Sequence, residues 1–203
     1  MPSITFGLDR VIKEYFNLYR EKGEMPPLLK ERLPGRLMRK LPYELNYFDK
    51  DIKAGLMGRL DECVVEEVRG KSIYYPVDHK SRASSPSKEN YSEKYYQLQM
   101  DIYALLLEEF LREVPGAEIG DRAFLIYYYP QEITPENLFQ FAVEIQTVEV
   151  NVRRAREKFH QAVRFLREGK LPKEHSKNCP FGEWERGVRR VERKKEEWSG
   201  YLF

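Results

Sequence analysis

Cysteine and histidine are scarce in this sequence, and it contains no long apolar run. The chain of 203 residues has two cysteines, Cys63 and Cys179, and three histidines. Two cysteines cannot build a disulfide framework, which excludes a small fold held together by several disulfides. No stretch reaches the roughly 18 apolar residues of a membrane-spanning helix, and the first residues lack the apolar core of a signal peptide. We therefore expect a reducing, cytoplasmic setting.

Neither sign of charge dominates the composition. The 35 Lys and Arg residues nearly balance the 33 Asp and Glu residues, which leaves a net charge of +2. Such a small value does not decide whether nucleic acid is a partner, because a basic footprint would have to be local. The 14 tyrosines could stack on bases, but we favour the interpretation that they fill the sheet and the core.

Two strand-like segments, Leu56–Glu66 and Ile73–Lys80, carry the charged residues that matter most. Both are rich in β-branched, aromatic and apolar residues and are separated by a polar turn, which predicts a hairpin. The hairpin would bring Asp61 and Asp78 side by side. Residues two apart on a strand face the same way, so we expect Lys80 beside Asp78.

Two converging carboxylates repel each other unless a proton or a cation lies between them. Hard oxygen ligands favour Mg²⁺ or Mn²⁺ over zinc. Such an ion can polarise a phosphate oxygen and lower the pKa of a bound water. Lys80 could orient the attacking water or stabilise the negative charge that grows on phosphorus.

The clearest helix in the sequence is predicted at Tyr91–Val114. A buried stripe is expected along it, formed by Tyr95, Leu98, Ile102, Leu105, Leu106 and Phe110. Gln99 and Tyr103 lie four residues apart and so share one face of this helix. They could be ordinary flanking residues, but beside the two acids we favour a functional role, since a site needs several mutually placed groups.

These motifs occur in a fixed order along the chain: Gly58-x-x-Asp61, Asp78-x-Lys80 and Gln99-x-x-x-Tyr103. The set, which covers about Leu56 to Glu109, resembles the PD-(D/E)XK nuclease superfamily and its RecB-like branch, which includes CRISPR-associated exonucleases. The resemblance implies a divalent ion held by Asp61, Asp78 and the backbone carbonyl of His79. It also implies catalysis by Lys80, with the helical Gln and Tyr positioning the substrate or the site.

The cysteines depart from the pattern of many relatives, which hold an iron–sulfur cluster with four cysteines. Only Cys179 occupies the region of the late cysteines, and Cys63 lies in a strand. Ligation of such a cluster normally needs four thiolates, so we predict no iron–sulfur cluster. Zinc is not expected either, because Cys179 and His175 leave ligands missing. We interpret both cysteines as small buried hydrophobic residues.

Many relatives also supply a further metal ligand, His or Glu, from an upstream helix. No histidine precedes His79, and Glu14, Glu24 and Glu31 all remain candidates. The number of metal ions is therefore left open. The basic segment Leu28–Leu41 could be an arm that contacts phosphates or a solvated loop, and the loop is favoured.

The remaining periodic segments complete the predicted order of elements. They are a helix at Leu8–Tyr19 capped by Ser3 or Asp9, strands at Pro42–Phe48, Ala123–Tyr129 and Phe139–Val150, and a helix from its cap Asn151 to Glu168. Pro130 is expected to close the second of these strands, and Ser81–Glu93 to be a loop at the mouth of the site. The charged tail is predicted to include a helix at Gly187–Trp198.

The sequence as a whole predicts an α/β fold in which helices flank a mixed central sheet, as in restriction endonucleases. We expect a single domain over residues 1–203, with a core at about 43–150, a helical N-terminal segment at 3–41 and a C-terminal helix and tail at 151–203. The predicted function is that of an Mg²⁺- or Mn²⁺-dependent RecB-like exonuclease acting on DNA ends or single strands. The alternative is a non-catalytic nucleic-acid-binding or scaffold subunit of a DNA repair or CRISPR-type complex. Self-association or docking through the apolar end, Trp198–Phe203, also stays open.

Overall fold

The computed structural model describes residues 4–86, 91–169, 179 and 181–188. The chain forms two compact units, Met1–Val163 and Arg164–Phe203. In chain order the elements are α1 (Ile4–Lys22), β1 (Arg36–Leu37), β2 (Leu45–Asp49), β3 (Ala54–Gly58), β4 (Glu62–Val68), β5 (Lys71–Ser81), α2 (Tyr91–Leu111), β6 (Ala117–Ile119), β7 (Arg122–Ile133), β8 (Phe139–Glu149) and α3 (Val152–Glu168). None of these described helices is long and apolar enough to cross a membrane.

The second unit contributes the end of α3, Cys179 and a helical stretch at residues 181–188 to the described part of the chain. The predicted helix at Gly187–Trp198 lies almost entirely outside the described residues. His175 and the apolar end at Trp198–Phe203 also lie outside them.

A six-stranded mixed sheet forms the centre of the first unit. Its order is β1-β4-β5-β7-β8, with β6 also pairing with β5. Strands β4 and β5 form the predicted antiparallel hairpin, whereas β5 and β7 run parallel and are joined through α2. Strands β2 and β3 pair only with each other, as a separate two-stranded sheet. The structure therefore confirms the predicted mixed α/β fold.

The central sheet is buried on both faces, as the side chains of β7 show. Phe124, Ile126 and Tyr128 pack with Phe16 of α1 and with residues of the segment after it. The alternate residues of the strand, Ala123, Leu125 and Tyr127, pack with Met100 of α2. Successive strand residues point to opposite faces, so an unbroken apolar run is what a doubly covered strand requires.

Helix α2 is the predicted helix, but its buried stripe was only partly predicted. Leu105 and Leu106 are buried as expected, whereas Tyr95, Leu98 and Phe110 are exposed. The positions buried instead include Met100, Ala104, Leu107 and Leu111. The face that packs on the sheet is therefore rotated from the predicted one, because the sheet and α3 select the buried positions and not the largest side chains.

The predicted single strand at Leu56–Glu66 is wrong. It is divided into β3 and β4, which belong to different sheets. Arg59, Leu60 and Asp61 form the link between them, and Leu60 is buried there. Both pieces have strand composition, so the sequence pattern did not reveal that β3 leaves to pair with β2.

The basic segment at residues 28–41 is not a solvated loop. Its apolar residues Leu29, Leu33, Leu37 and Met38 are buried, and β1 pairs with β4. Gly35 permits the close approach of this segment to the sheet, since a Cβ at that position would lie 1.9 Å from the carbonyl oxygen of Val65. The interpretation as a solvated loop gave too much weight to the charged residues and too little to the leucines that recur at every fourth position.

Pro130 does not close its strand. Strand β7 continues to Ile133 against β8, with an irregularity in register between Pro130 and Glu132. Proline cannot donate a ladder hydrogen bond, and such irregularities are where sheets accept it.

One predicted helix cap is confirmed, and another is wrong. Asn151 caps α3, because the backbone amide of Arg154 donates to Asn151 Oδ1 at 3.0 Å. Gly23, with φ of +71°, follows the last residue of α1. Asp9 is not a cap, since it lies within α1 and accepts a hydrogen bond from Lys13 Nζ at 2.9 Å.

Candidate active site

Strand β5 distributes its consecutive side chains between the two layers of the protein. Val77 packs with the α1 layer, and the ring of His79 lies 4.7 Å from the ring of Phe16 in α1. Asp78 and Lys80 alternate with these residues and contact Gln99 of α2 instead. The two-residue period of the strand thus delivers the acid and the ammonium to one face, as predicted.

Asp61 lies in the link before β4, one residue beyond the Glu62–Val77 pair of the hairpin. The same register places it opposite Asp78. The backbone amide of His79 donates to Asp61 Oδ2 at 3.1 Å, which fixes the carboxylate against the end of β5. The structure therefore brings the two predicted carboxylates together.

Lys80, Asp78 and Gln99 form a closed set of contacts. Lys80 Nζ lies 2.5 Å from Asp78 Oδ2 as an ion pair and donates to Gln99 Oε1 at 3.1 Å. Gln99 Nε2 in turn donates to Asp78 Oδ1 at 3.1 Å. One amide therefore holds the acid with its nitrogen and the lysine with its oxygen, which sets the orientation of both.

Tyr103 lies one helical turn beyond Gln99, and its hydroxyl accepts a second hydrogen bond from Gln99 Nε2 at 2.9 Å. Burial raises the pKa of Tyr103 to about 12, so the phenol stays protonated. Gly58 allows α2 to lie close, because a Cβ there would come within 2.7 Å of Leu106 Cδ1 and 3.8 Å of Tyr103 Cε1. All the predicted motif residues thus meet at one place.

The environment of Asp78 opposes its ionisation. Burial raises the pKa of Asp78 to about 6, the Lys80 ammonium opposes this shift, and the charge of Asp61 adds to it. Asp78 Oδ2 is fully buried and accepts no hydrogen bond of normal geometry, so its close neighbour is the ammonium of the ion pair. A buried carboxylate oxygen that accepts no hydrogen bond is suited to bind a cation.

The ring of His79 lies on the α1 side of the sheet, away from the Gln99 contacts of Asp78 and Lys80. It packs between Phe16 and Tyr128, whose hydroxyl lies 3.1 Å from His79 Nδ1. Burial lowers the pKa of His79 to about 4, so the imidazole is neutral near pH 7. The predicted metal contact of His79 through its backbone carbonyl stays a prediction.

Two contributors to the site were missed from the sequence. Lys80 Nζ lies 4.6 Å from the centroid of the Tyr96 ring, a cation–π contact. Tyr96 precedes Gln99 by three residues, and that spacing places both on one side of the helix.

Glu62, next to Asp61, is buried and pairs with Arg20 of α1. Burial raises the pKa of Glu62, and the Arg20 guanidinium opposes that shift.

An open cavity of about 600 Å³ leads to Asp61 and His79 from the α1 side. Its lining includes five cationic side chains, Lys13, Arg20, Arg39, Lys40 and Arg59. Two of these, Arg39 and Lys40, come from the basic segment at residues 28–41, so part of that segment lines the cavity that reaches Asp61. The positive lining would attract a polyanion to Asp61.

The structure does not place the upstream glutamate candidates at this cavity. Glu14 is exposed and lies 3.9 Å from Arg10, and Glu24 and Glu31 are exposed at the surface. The residues that α1 contributes to the cavity are Lys13, Phe16, Asn17 and Arg20. Asp9, also in α1, pairs with Lys13, which lines this cavity.

The arrangement of donors fits a hard divalent ion. Among the described residues, no group of three or more His, Cys, Asp or Glu side chains could hold a metal ion. The set at Asp61 and Asp78 is therefore two carboxylates, to which backbone oxygen and water can be added. Mg²⁺ binds proteins in this manner, through one or two carboxylates with several retained waters.

Comparison with protein families agrees with this geometry. A family model of the PD-(D/E)XK nuclease superfamily matches residues 10–185, which is most of the chain. The protein therefore belongs to the PD-(D/E)XK nuclease superfamily, whose members are metal-dependent phosphodiesterases that typically use divalent ions. Membership implies a nucleic-acid substrate. A search of curated proteins found no match.

Proposed function

We propose that this protein is a metal-dependent DNA phosphodiesterase of the RecB-like type, an exonuclease that acts on DNA ends or single strands. The observation that carries the proposal is the contact set in which Gln99 holds both Asp78 and Lys80, with Asp61 beside them. Burial of two neighbouring acids without a bridging cation destabilises a fold. The placement of Asp61 beside Asp78 is therefore better explained by function than by stability.

In this proposal Asp61, Asp78 and the backbone carbonyl of His79 hold Mg²⁺ or Mn²⁺. The bound ion would polarise a phosphate oxygen and lower the pKa of a water molecule. Lys80, ion-paired with Asp78, would stabilise the charge that develops on the phosphoryl group. Gln99 fixes the lysine and the acid relative to each other, and Tyr103 fixes Gln99.

The RecB-like assignment is supported by the helical Gln-x-x-x-Tyr motif. Gln99 and Tyr103 are joined by a hydrogen bond of 2.9 Å, and the same amide reaches Asp78. These contacts support a role for the motif in the site over an incidental pair on a helix flank. Preference for DNA and for strand ends follows from this likeness to the RecB-like branch.

Cleavage of internally labelled DNA with Mg²⁺ or Mn²⁺ tests the proposal. Linear single strands, linear duplexes and circular single strands should be compared, because an exonuclease requires an end. We expect linear substrates to be degraded and circles to survive, with Asp78→Ala and Lys80→Ala both inactive. Lys71→Ala is the matched control, since Lys71 lies on the same strand, is exposed and pairs with Glu118.

The outcomes separate the proposal from its alternatives. Equal cleavage by the wild type, Asp78→Ala and Lys80→Ala would assign the activity to another site or to a contaminant. Cleavage of circles would retain a nuclease and reject the exonuclease mode. Tight DNA binding without cleavage under any metal condition would favour the non-catalytic binding protein.

A further inference from the structure

Tyr43 is an exposed aromatic residue at the mouth of the cavity that leads to Asp61. It lies just before β2, and 76% of its surface is exposed. The guanidinium of Arg59 stacks on its ring, 4.0 Å from the centroid. Arg59 is also the second residue of the Gly58-x-x-Asp61 motif, so this stacked pair is attached to the link that carries one of the two acids.

The pair is held in place by its neighbours. Arg59 lies 3.7 Å from Glu44, the residue that follows Tyr43, which fixes the guanidinium over the ring. With 76% of the Tyr43 surface exposed, the ring side that Arg59 does not cover remains in contact with water. A planar group resting on the open side of such a stacked pair would bury apolar surface that is now wet.

The cations around the cavity are not all neutralised. Lys13 pairs with Asp9, and Arg20 pairs with Glu62. Arg39 and Lys40 are exposed, and neither has an ion pair or side-chain hydrogen bond within the part of the chain that the structure describes. Free cations beside an aromatic platform are the two elements with which proteins bind single-stranded nucleic acid, one for phosphates and one for bases.

We infer that the pair Tyr43–Arg59 is a stacking platform for one unpaired nucleobase of the strand whose phosphate reaches Asp61, with Arg39 and Lys40 contacting flanking phosphates. This inference rests on the proposed function and specifies its substrate as a single-stranded segment. A base within a duplex is stacked on both faces by its neighbours and cannot occupy the platform. The chemistry is common to DNA and RNA, and the test distinguishes them.

The test measures binding without cleavage. Fluorescence anisotropy of a labelled oligo-dT is recorded in EDTA for wild type, Tyr43→Ala and Tyr43→Phe, and again with oligo-U. Tyr43→Ala should bind about tenfold more weakly, whereas Tyr43→Phe should bind like wild type because stacking does not need the hydroxyl. Phe139→Ala is the matched control, as an aromatic residue of similar exposure, 71%, that does not line the cavity.

A series of oligonucleotides with one abasic site at each position in turn makes the test specific. In the wild type, one abasic position should weaken binding about tenfold, and in Tyr43→Ala that position should make no further difference. The same result with oligo-U would show that the platform accepts RNA as well, and its loss with oligo-U would restrict the platform to DNA.

Several results would overturn the inference. They are wild-type affinity in Tyr43→Ala, an abasic effect that persists in Tyr43→Ala, an equal loss in Phe139→Ala or Tyr43→Phe, and absence of oligonucleotide binding by the wild type. Its failure is distinct from failure of the proposed function. A protein that shows the Tyr43-dependent abasic effect but does not cut DNA has the platform without the nuclease, and one that cuts DNA without that effect has the reverse.

Discussion

The side-chain amide of Gln99 donates to Asp78 Oδ1 at 3.1 Å. This bond joins α2 to the end of β5, two elements that come together only in the folded chain. Because the oxygen of the same amide accepts a hydrogen bond from Lys80, a rotation of Gln99 would displace the acid and the ammonium together. Gln99 is therefore the residue that links the strand motif and the helix motif by hydrogen bonds.

Replacement of Gln99 by leucine should lower kcat with little change in KM. The loss is expected to be about 100-fold, because misplacement of catalytic groups by a small distance has effects of that size. Steady-state cleavage of a single-stranded substrate measures both constants. Gln161→Leu, at an exposed position of α3, serves as the control. A rise in KM at constant kcat would instead assign Gln99 to substrate binding.

Tyr96 should act through its ring and not through its hydroxyl. Its ring lies 4.6 Å from Lys80 Nζ, so removal of the aromatic face frees the ammonium. We expect Tyr96→Leu to lower kcat roughly tenfold and Tyr96→Phe to retain the wild-type value. The two variants are compared under single-turnover conditions. Equal loss in both would show that the hydroxyl matters and that the cation–π account is wrong.

Asp78 should cost the metal-free protein stability at neutral pH. Its pKa is raised from 3.8 to about 6 in the folded state, so folding favours the protonated carboxyl group. The stabilisation from this protonated form is complete below pH 3.8 and is lost as the pH rises through 6. The free energy of unfolding of Asp78→Asn should therefore exceed that of wild type by up to roughly 3 kcal/mol at pH 8, and the difference should vanish near pH 4.

Urea unfolding of both proteins in EDTA, from pH 4 to pH 8, measures this difference. Addition of Mg²⁺ at pH 8 should stabilise wild type and leave Asp78→Asn unchanged, because the ion binds the ionised carboxylate. A constant difference between the two proteins across this pH range would contradict the account of the burial of Asp78.

Two glycines with positive φ provide a matched pair for stability. Gly23 and Gly35 have φ of +71° and +68°, but a Cβ at Gly23 meets nothing within 4 Å, whereas at Gly35 it would lie 1.9 Å from the backbone of Val65. Gly23→Ala should cost about 1 kcal/mol for the backbone conformation alone. Gly35→Ala should cost roughly 3 kcal/mol or more, since β4 must also move. Similar unfolding free energies in both variants would be incompatible with the packing at Gly35.

The part of the site that the sequence made predictable depends on short-range geometry. Asp78 and Lys80 share a face because of the strand period, and Gln99 and Tyr103 because of the helix period. Their meeting required only that β5 be followed by a helix that returns over the sheet. Asp61 was placed opposite Asp78 by the hairpin, and this held although the predicted strand is interrupted at Asp61 and β4 begins only at Glu62.

What could not be predicted was set by contacts distant in sequence. The division of Leu56–Glu66 into β3 and β4 depends on the pairing of β3 with β2, and nothing local marks it. The rotation of α2 that exposes Leu98 and buries Met100 depends on where the sheet lies. Tyr43 and Arg59 are sixteen residues apart, and only the fold reveals that they stack.

The most direct test of the central claim is the binding of Mn²⁺, followed by electron paramagnetic resonance, to wild type, Asp61→Asn and Asp78→Asn. Free Mn²⁺ is quantified as the protein is titrated, with Asp121→Asn as the control, since that acid is exposed. We predict that wild type and the control bind the ion and that both site variants lose at least a tenfold factor in affinity. Unchanged binding in either site variant, or none in the wild type, would show that Asp61 and Asp78 do not share a metal ion.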